Sequence, residues 1–176
     1  MTTSETSEPD ATEAFVWVWL PGSGTPVVAG RLIDRGDVTT FTYGRRYVDR
    51  DDAMSLYEAE LPLRRGEQSP LSGLLPGCIA DAGPDAWGQR VIEHRRAGRA
   101  TDVRPLVYLL ESGSDRIGAL DFQRSADTYE PRTSDEATLE QLAQAMDHVE
   151  RGEPLAPALD RVLLHGSSIG GARPKA

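Results

Sequence analysis

The sequence has 176 residues, with 28 Asp and Glu against 19 Lys and Arg, so the formal net charge is −9. An acidic chain repels nucleic acid in general, which argues against direct DNA binding. The single cysteine, Cys78, excludes an internal disulfide and suits a reducing compartment. The apolar run at residues 15–20 is too short to span a bilayer, and the N-terminus lacks the basic residues of a secretory signal. We therefore predict a cytoplasmic protein without a membrane contact.

The first third of the chain predicts a tail followed by an antiparallel meander. Residues 1–13 are rich in Ser, Thr and acidic residues, and we expect them to form a disordered acidic tail. Residues 15–20, 25–33 and 38–43 are rich in β-branched and aromatic residues, and Gly-containing turns separate them. Consecutive short strands joined by tight turns pair as an antiparallel sheet.

The next stretch predicts short elements that proline interrupts. Residues 51–57 begin with two Asp residues and predict a helical turn. Residues 61–63 contain Pro62, which cannot donate to a β-ladder, and predict an edge strand. Residues 71–79 are apolar, and we expect a short helix that Pro76 breaks early.

The remainder predicts helices, one more strand and a linker. Residues 85–97 predict a helix on which Trp87 lies on the apolar face and is expected in the core. Residues 133–136 read Thr-Ser-Asp-Glu, the Thr-x-x-Glu form of a capping box, and apolar residues follow at helical spacing until Gly152 closes the helix. The other expected elements are a helix at 101–110, a strand at 116–122, a linker at 125–132 and a short helix at 155–164.

Together these elements predict an α+β fold, with a small, mostly antiparallel sheet or open barrel and packed helices. We expect this domain to cover residues 14–124. Residues 125–176 would then hold a linker, a helical segment and a C-terminal Gly-rich loop.

The C-terminal residues combine a permissive backbone with positive charge. They read Leu-His-Gly-Ser-Ser-Ile-Gly-Gly-Ala-Arg-Pro-Lys-Ala (residues 164–176). Backbone N–H groups of such a loop can form a nest for phosphate oxygens, and Arg173 and Lys175 would add positive charge. A Walker loop is excluded, because Ala172 stands where the Lys is required after Gly171. Composition alone leaves an ordinary Gly-rich tail as the alternative.

Three blocks of sequence carry a family resemblance. They are Ser-Ser-Ile-Gly-Gly-Ala-Arg-Pro-Lys-Ala (167–176), Leu-Ser-Gly-Leu-Leu-Pro (71–76) with Pro-Asp-Ala-Trp-Gly-Gln-Arg (84–90), and Tyr-Leu-Leu (108–110) with Asp-Arg-Ile-Gly-Ala-Leu-Asp-Phe (115–122). The first resembles the Gly-rich loop of the HipA family, the Ser/Thr kinases of bacterial toxin–antitoxin systems, and the others resemble its N-terminal signatures. The resemblance extends from about residue 15 to residue 176, although Gly77 and Cys78 stand where the family usually has Asp.

The resemblance implies roles for residues of the Gly-rich loop. Ser168 matches the serine that family members phosphorylate on themselves, with Ser167 as second choice; the alternative is that both serines only fill the loop. ATP and Mg²⁺ would be the cofactors of the complete kinase. The implied partners are a HipB-like antitoxin, operator DNA bound through that antitoxin, and the catalytic lobe of the kinase. The implied nucleotide-binding residues are Gly170, Gly171, Ala172, Arg173, Pro174 and Lys175.

The catalytic residues of phosphoryl transfer are missing from the sequence. None of the three histidines, His94, His148 and His165, begins a His-Arg-Asp pattern, and no Asp-Phe-Gly occurs. We therefore predict no catalytic or metal-binding residue and no tightly bound cofactor in this chain. We expect the N-terminal part of a HipA-type kinase, which contributes the ATP-phosphate loop and antitoxin contacts and is inactive without the catalytic lobe.

The alternative is a non-enzymatic module that docks on a separate HipA-type kinase chain and controls it. The kinase interpretation is favoured, because such a module has no reason to keep nucleotide-loop residues that belong to the other chain.

Overall fold

The computed structural model describes residues 11–96, 103–116, 118–133 and 139–153. In chain order the elements are β1 (Glu13–Val18), β2 (Val27–Asp34), β3 (Thr39–Tyr43), α1 (Arg45–Val48), β4 (Glu67–Gln68), α2 (Gly77–Asp81), α3 (Ala86–Arg95), α4 (Pro105–Glu111), β5 (Leu120–Gln123) and α5 (Leu139–Arg151). Residues 1–10 of the acidic tail predicted for residues 1–13 lie outside the described residues. The last residue of that range, Glu13, is the first residue of β1.

The strands form a five-stranded open sheet in the order β4-β3-β2-β1-β5, and all neighbours are antiparallel. β1, β2 and β3 pair in sequence order, which confirms the predicted meander. β5 follows α4 and pairs with β1, so that Val16 lies opposite Phe122. The sheet and its packed helices confirm the predicted α+β class.

One position in the middle of the sheet admits only glycine. The register between β1 and β2 shifts between Val16 and Trp17, which marks a β-bulge. Gly30 pairs with Val16, and a Cβ added there would collide with the Thr42 carbonyl oxygen and the Phe41 ring. The absence of a side chain at Gly30 therefore allows the adjacent strands to approach each other.

One face of the sheet carries the main hydrophobic core. Alternate residues of β1 and β3 point to this face, as the period of two in the sequence predicts, and the bulge opposite β1 interrupts the alternation in β2. Ile79 of α2 and Leu106 and Leu109 of α4 pack in the same cluster and are almost inaccessible to solvent. The fully buried strand residues of this cluster are Ala14, Val16, Ala29, Leu32, Phe41 and Phe122.

The segment after β3 differs from the sequence prediction. The helical turn expected at residues 51–57 is wrong, and a short helix, α1, lies just before it. The edge strand expected at residues 61–63 is also wrong: Leu61 forms only an isolated bridge with Tyr57. The strand at this edge of the sheet is β4, which lies a few residues further along the chain and pairs with β3.

Two tyrosine hydroxyls explain the irregular path of this segment. The Tyr43 hydroxyl donates to the carbonyl oxygen of Leu61 at 2.6 Å and accepts from the N–H of Leu56 at 2.8 Å. The Tyr47 hydroxyl donates to the carbonyl oxygen of Met54 at 2.9 Å. These hydroxyls bond to backbone groups that a helix would otherwise bond internally. The hydrogen bonds to the tyrosines, rather than the helical propensity of the segment, therefore set its conformation.

The helix predicted at residues 71–79 is wrong in its first half. α2 begins only at Gly77, with Pro76 as its N-cap residue. Gly73 adopts a φ of +71°, a left-handed conformation that a right-handed helix does not contain. The N–H of Thr39 also donates to the carbonyl oxygen of Leu74 at 2.7 Å, so the backbone of this stretch is bonded to β3 instead.

The next two helices begin where cap chemistry places them. α3 confirms the helix predicted after Pro84, and the carboxylate of its N-cap residue, Asp85, accepts from the N–H of Gly88 at 2.9 Å. α4 begins at Pro105, which fixes a helical φ at the first position. The helix predicted at 101–110 begins later than expected, because Val103 and Arg104 are not helical; residues 101–102 lie outside the described residues.

A buried ion network fixes the chain around β5. The side chain of Asp121 is fully buried, and its two oxygens accept from Arg116 (3.0 Å), Arg132 (2.9 Å), Ser114 (2.6 Å) and Gln123 (2.9 Å). Arg116 donates further to the carbonyl oxygens of Ala82 and Leu109. The strand predicted at 116–122 starts only at Leu120. Gly118 adopts a φ of +110°, which a β-strand does not contain.

The network keeps Asp121 ionised in the folded protein. Burial by itself raises the pKa of this carboxyl group, but the charges of Arg132 and Arg116 and the hydrogen bond from Ser114 outweigh burial and lower the pKa. A group whose pKa is lowered on folding contributes stability above its unfolded pKa, which is roughly 3.9 for Asp. That contribution is lost as the pH falls through the folded-state pKa.

Replacing Asp121 by Asn should lower the free energy of unfolding by about 3–5 kcal/mol at neutral pH, because the charge of Arg116 would stay buried without its counter-charge. Urea unfolding measures the change. The difference in the free energy of unfolding between the variant and the wild type should shrink below about pH 4, where Asp121 becomes protonated in the unfolded chain.

The exposed Asp127 provides a control, and Asp127→Asn should change the free energy of unfolding by no more than about 0.5 kcal/mol. If Asp121→Asn changed it equally little, the network would not be what holds this part of the fold.

Candidate functional site

The residues predicted to bind nucleotide or to accept phosphate lie outside the described residues, which end at residue 153. The short helix predicted at 155–164 and most of the capping box at 133–136 lie outside them too. The roles of these residues stay predictions. They are Ser167, Ser168, Gly170, Gly171, Ala172, Arg173, Pro174 and Lys175.

The helix that leads toward this segment packs on the domain. Val91 of α3 and Ala145 of α5 are fully buried in one apolar cluster between the two helices, and the partly buried Trp87 and Val149 pack around them. Trp87 therefore lies in an apolar cluster, as the sequence predicts. Gly152, with a φ of +67°, ends α5 where the sequence predicts. An apolar contact thus joins α5 to the helix that carries the Trp-Gly motif.

Two leucines of one short loop are highly exposed. In residues 70–76, here named the leucine loop, Leu71 is 76% exposed and Leu74 is 58% exposed. The described residues also expose Met54 (46%) and Tyr57 (53%). A single exposed apolar residue needs no explanation, but several on neighbouring segments are typical of an interaction surface.

One carboxylate holds the leucine loop at both ends. Glu60 accepts a hydrogen bond from the N–H of Leu71 at 3.1 Å and another from the N–H of Gly77 at 2.6 Å. The bond from Thr39 to the Leu74 carbonyl fixes the middle of the loop. A loop whose backbone is already fixed loses little conformational entropy when its side chains bind a partner.

A small cleft opens beside Leu74. The turn residues Asp37 and Val38 line one side, and Val103 and Pro105 at the start of α4 line the other. The volume is about 210 Å³. Small-molecule sites usually measure roughly 300–1,000 Å³. The cleft therefore suits one apolar side chain rather than a nucleotide.

Arg104 joins the two sides of the cleft. Its guanidinium forms a bidentate ion pair with Asp34, with Nε 2.8 Å from Oδ2, and donates to the carbonyl oxygen of Gly36. Burial by itself raises the pKa of Asp34, but the hydrogen bonds from Arg104 and from the N–H of Gly36 lower it. Asp34 therefore stays ionised and keeps α4 attached to the β2–β3 turn.

Cys78 carries a half-buried free thiol. Burial, and then the charges of Glu60 and Asp81, raise the pKa of the Cys78 thiol to about 11, so this thiol is protonated at neutral pH. Within the described ranges, no group of three His, Cys, Asp or Glu side chains could hold a metal ion. None of the helices in that part of the chain is both long and apolar enough to cross a membrane.

The sequence pattern does not point to Glu60 or Arg104 as residues that shape a site. Both act through partners that are distant along the chain, and such contacts leave no local signal. The available signal is the run Leu-Ser-Gly-Leu-Leu-Pro at 71–76, in which Gly73 and Pro76 favour a turn over a helix.

The fold and this surface define a small α+β domain that presents a fixed apolar loop. The family model of the HipA N-terminal domain matches residues 17–123, from β1 to the end of β5. The match covers more than half of the 176 residues, and the chain belongs to the HipA family through this domain. Family membership places the chain in the context of toxin–antitoxin systems. No curated protein matches the sequence.

Replacing Glu60 by Ala should loosen the leucine loop, because the N–H groups of Leu71 and Gly77 lose their acceptor. We expect amide hydrogen exchange at these two positions to become about tenfold faster, which corresponds to about 1.4 kcal/mol of local stability. Glu58→Ala is the matched control, because Glu58 is exposed and forms no hydrogen bond with other described residues. Unchanged exchange in Glu60→Ala would show that the carboxylate does not hold the loop.

Proposed function

We propose that the chain is the N-terminal part of a HipA-type serine/threonine protein kinase. Its domain would make the contacts to an antitoxin and to the rest of the kinase, and its Gly-rich loop would contribute to the ATP-phosphate site. The observation that carries this proposal is the match of residues 17–123 to the HipA N-terminal domain. The Gly-rich run at 167–176, which resembles the family's nucleotide loop, adds to it.

The packing of α5 supports a connection between the domain and the loop. α5 follows the family-matching residues and contacts α3 through the buried pair Val91 and Ala145. An apolar contact of this kind holds a helix in a fixed place on the domain. The end of α5 at Arg151, from which the chain continues toward the Gly-rich run, would therefore have a fixed place on the domain.

The residues of the loop suit the binding of phosphate groups. The backbone N–H groups around Gly170 and Gly171 would face the ATP phosphates, and Arg173 and Lys175 would add positive charge. In the complete kinase, Mg²⁺ bound with ATP supplies charge neutralisation for phosphoryl transfer. The catalytic and metal-binding carboxylates would come from the catalytic lobe, since the sequence contains neither a His-Arg-Asp nor an Asp-Phe-Gly pattern.

The purified chain should show no phosphoryl transfer with labelled ATP and Mg²⁺, because a loop alone supplies neither the positioned nucleophile nor the metal-borne charge. Adding a separately produced HipA-type catalytic lobe should give more transfer than the lobe alone. The matched control is the lobe with the Gly170→Val/Gly171→Val variant, which should not raise transfer. Turnover by the chain alone that a substitution within it abolishes would contradict the proposal.

One observation favours the alternative of a non-enzymatic module that docks on a separate kinase chain. Among the described residues, the members of the main core cluster come from residues 11–122, so the domain has its own core. A domain with its own core can fold and bind as an independent unit. In the experiment with the added lobe, a controlling module would lower phosphoryl transfer instead of raising it.

Ser168 should become phosphorylated when the catalytic lobe and ATP are present. It matches the autophosphorylated serine of the family motif and directly precedes the turn expected to face the γ-phosphate. The phosphate would bring up to about two negative charges beside the ATP site and would disfavour nucleotide binding there. Phosphopeptide mapping measures the position, with Ser167→Ala expected to keep the label and Ser168→Ala to lose it. Label confined to Ser167 would show that the assignment is wrong.

A further inference from the structure

We propose that the leucine loop, Tyr57 and the cleft beside Leu74 form a docking surface for a segment of another protein that combines apolar side chains with Lys or Arg. This surface would serve the docking role proposed for the domain, on which the inference rests. Two properties of the surface support it: the apolar side chains are presented on a fixed backbone, and the exposed carboxylates of Asp37 and Glu58 beside them form no ion pair with another described residue.

The apolar side chains come from two segments that meet at Glu60. The N–H of Glu60 donates to the carbonyl oxygen of Tyr57 at 3.2 Å, and its carboxylate accepts from the N–H of Leu71 at 3.1 Å. Leu74 lies further along the loop and lines the cleft. Tyr and Leu side chains on a fixed backbone offer contact area to a partner at a small entropic cost.

The unpaired charges on these segments are negative. Glu58 and Asp37 are both exposed, and neither forms a hydrogen bond or an ion pair with another described residue. Glu58 follows Tyr57 directly, and Asp37 lines the cleft together with Leu74. A partner that brings positive charge would therefore meet two unpaired carboxylates at this surface.

The arginines of the same segments are already paired. Arg50 forms an ion pair with Asp52, and Arg104 forms one with Asp34. Their positive charge is therefore largely balanced within the domain. A negatively charged partner would meet no compensating charge from these two side chains, and it would be repelled by Glu58 and Asp37.

The charge of the chain decides between the possible occupants. A second copy would bring the same acidic residues on a chain of net charge −9, and like charges would face each other across the contact. Nucleic acid would be repelled for the same reason. A basic protein segment would be attracted by the carboxylates and would bury its apolar side chains on the loop and in the cleft, which has room for one of them.

The test measures binding of a fluorescent peptide to the full chain by anisotropy at physiological salt. The probe has leucines three and four residues apart, as on one helix face, and lysines at the remaining positions. One matched peptide replaces the lysines by glutamates, and another replaces the leucines by serines. We expect the Leu/Lys peptide to bind and both matched peptides to bind at least about tenfold more weakly.

Two double variants of the chain locate the binding. Leu71→Ser/Leu74→Ser should weaken binding of the Leu/Lys peptide by about tenfold or more, because both anchors are lost. Asp37→Asn/Glu58→Gln should weaken binding less and should reduce its dependence on salt. Urea unfolding of each variant shows whether it has kept the stability of the wild type.

The matched charge control is Asp127→Asn/Glu130→Gln, which removes two exposed carboxylates outside the proposed surface. Its affinity for the peptide should equal that of the wild type. An equal loss in this control and in Asp37→Asn/Glu58→Gln would show that the peptide responds only to overall charge, and would overturn the inference.

Three further results would also overturn the inference. These are failure of the Leu/Lys peptide to bind, equal binding of the Glu-containing peptide, and unchanged affinity in Leu71→Ser/Leu74→Ser. A dimer of the chain that the same leucine variant abolishes would assign the surface to a second copy instead. Labelling of Ser168 is measured separately, so peptide binding without labelling would reject the kinase assignment and leave the docking surface in place.

Discussion

A carboxylate that is removed from water must be compensated by opposite charge and by hydrogen bonds, and Asp121 receives both. Arg116 and Arg132 supply the charge, while Ser114 and Gln123 supply further donors. These donors come from the turn after α4, from β5 itself and from the segment after β5. Pairing of β5 with β1 fixes only the strand, and the network connects this edge of the sheet to the chain on both sides of it. The N–H of Ser114, which donates to the carbonyl oxygen of Arg132, and the indole N–H of Trp17, which donates to that of Ser125, add to this connection.

A second carboxylate works differently because it lies near the surface. Glu60 accepts hydrogen bonds from two backbone N–H groups at the ends of the leucine loop, and Leu71 and Leu74 stay exposed. Asp121 stabilises a buried region, whereas Glu60 stabilises a loop that packs Leu75 against the core and leaves its other two leucines outside it. Folding does not require these leucines to be exposed, and their burial would become favourable when a partner covers them. The loop is thus fixed by polar contacts and available for apolar ones.

The domain carries the proposed docking surface, and α5 connects it to the segment that contains the Gly-rich run. The core within residues 11–122 supports the leucine loop and the cleft, and the contact between Val91 and Ala145 attaches α5 to the same domain. A partner bound at the loop and a nucleotide bound near the Gly-rich run would then act on one connected chain. Any effect of one on the other would require a difference in free energy between two states of the domain or of α5.

The sequence by itself determined the features that depend on near neighbours. The strand alternation of the meander, the helix that follows Pro84 and the end of α5 at Gly152 all rest on residues a few positions apart, and the α+β class follows from them. The family resemblance rests instead on the sequence blocks at 71–90, 108–122 and 167–176. Only the tertiary structure decided the candidate surface. Gly73 and Pro76 favour a turn within residues 71–76, but the sequence does not show that a carboxylate from another segment, Glu60, holds the ends of the loop. It also does not show that Leu71 and Leu74 stay exposed. In the same way the hydroxyl of Tyr43 accepts a hydrogen bond from the N–H of Leu56, which a helix at residues 51–57 would bond internally. A backbone group bonds to whichever partner the fold brings near.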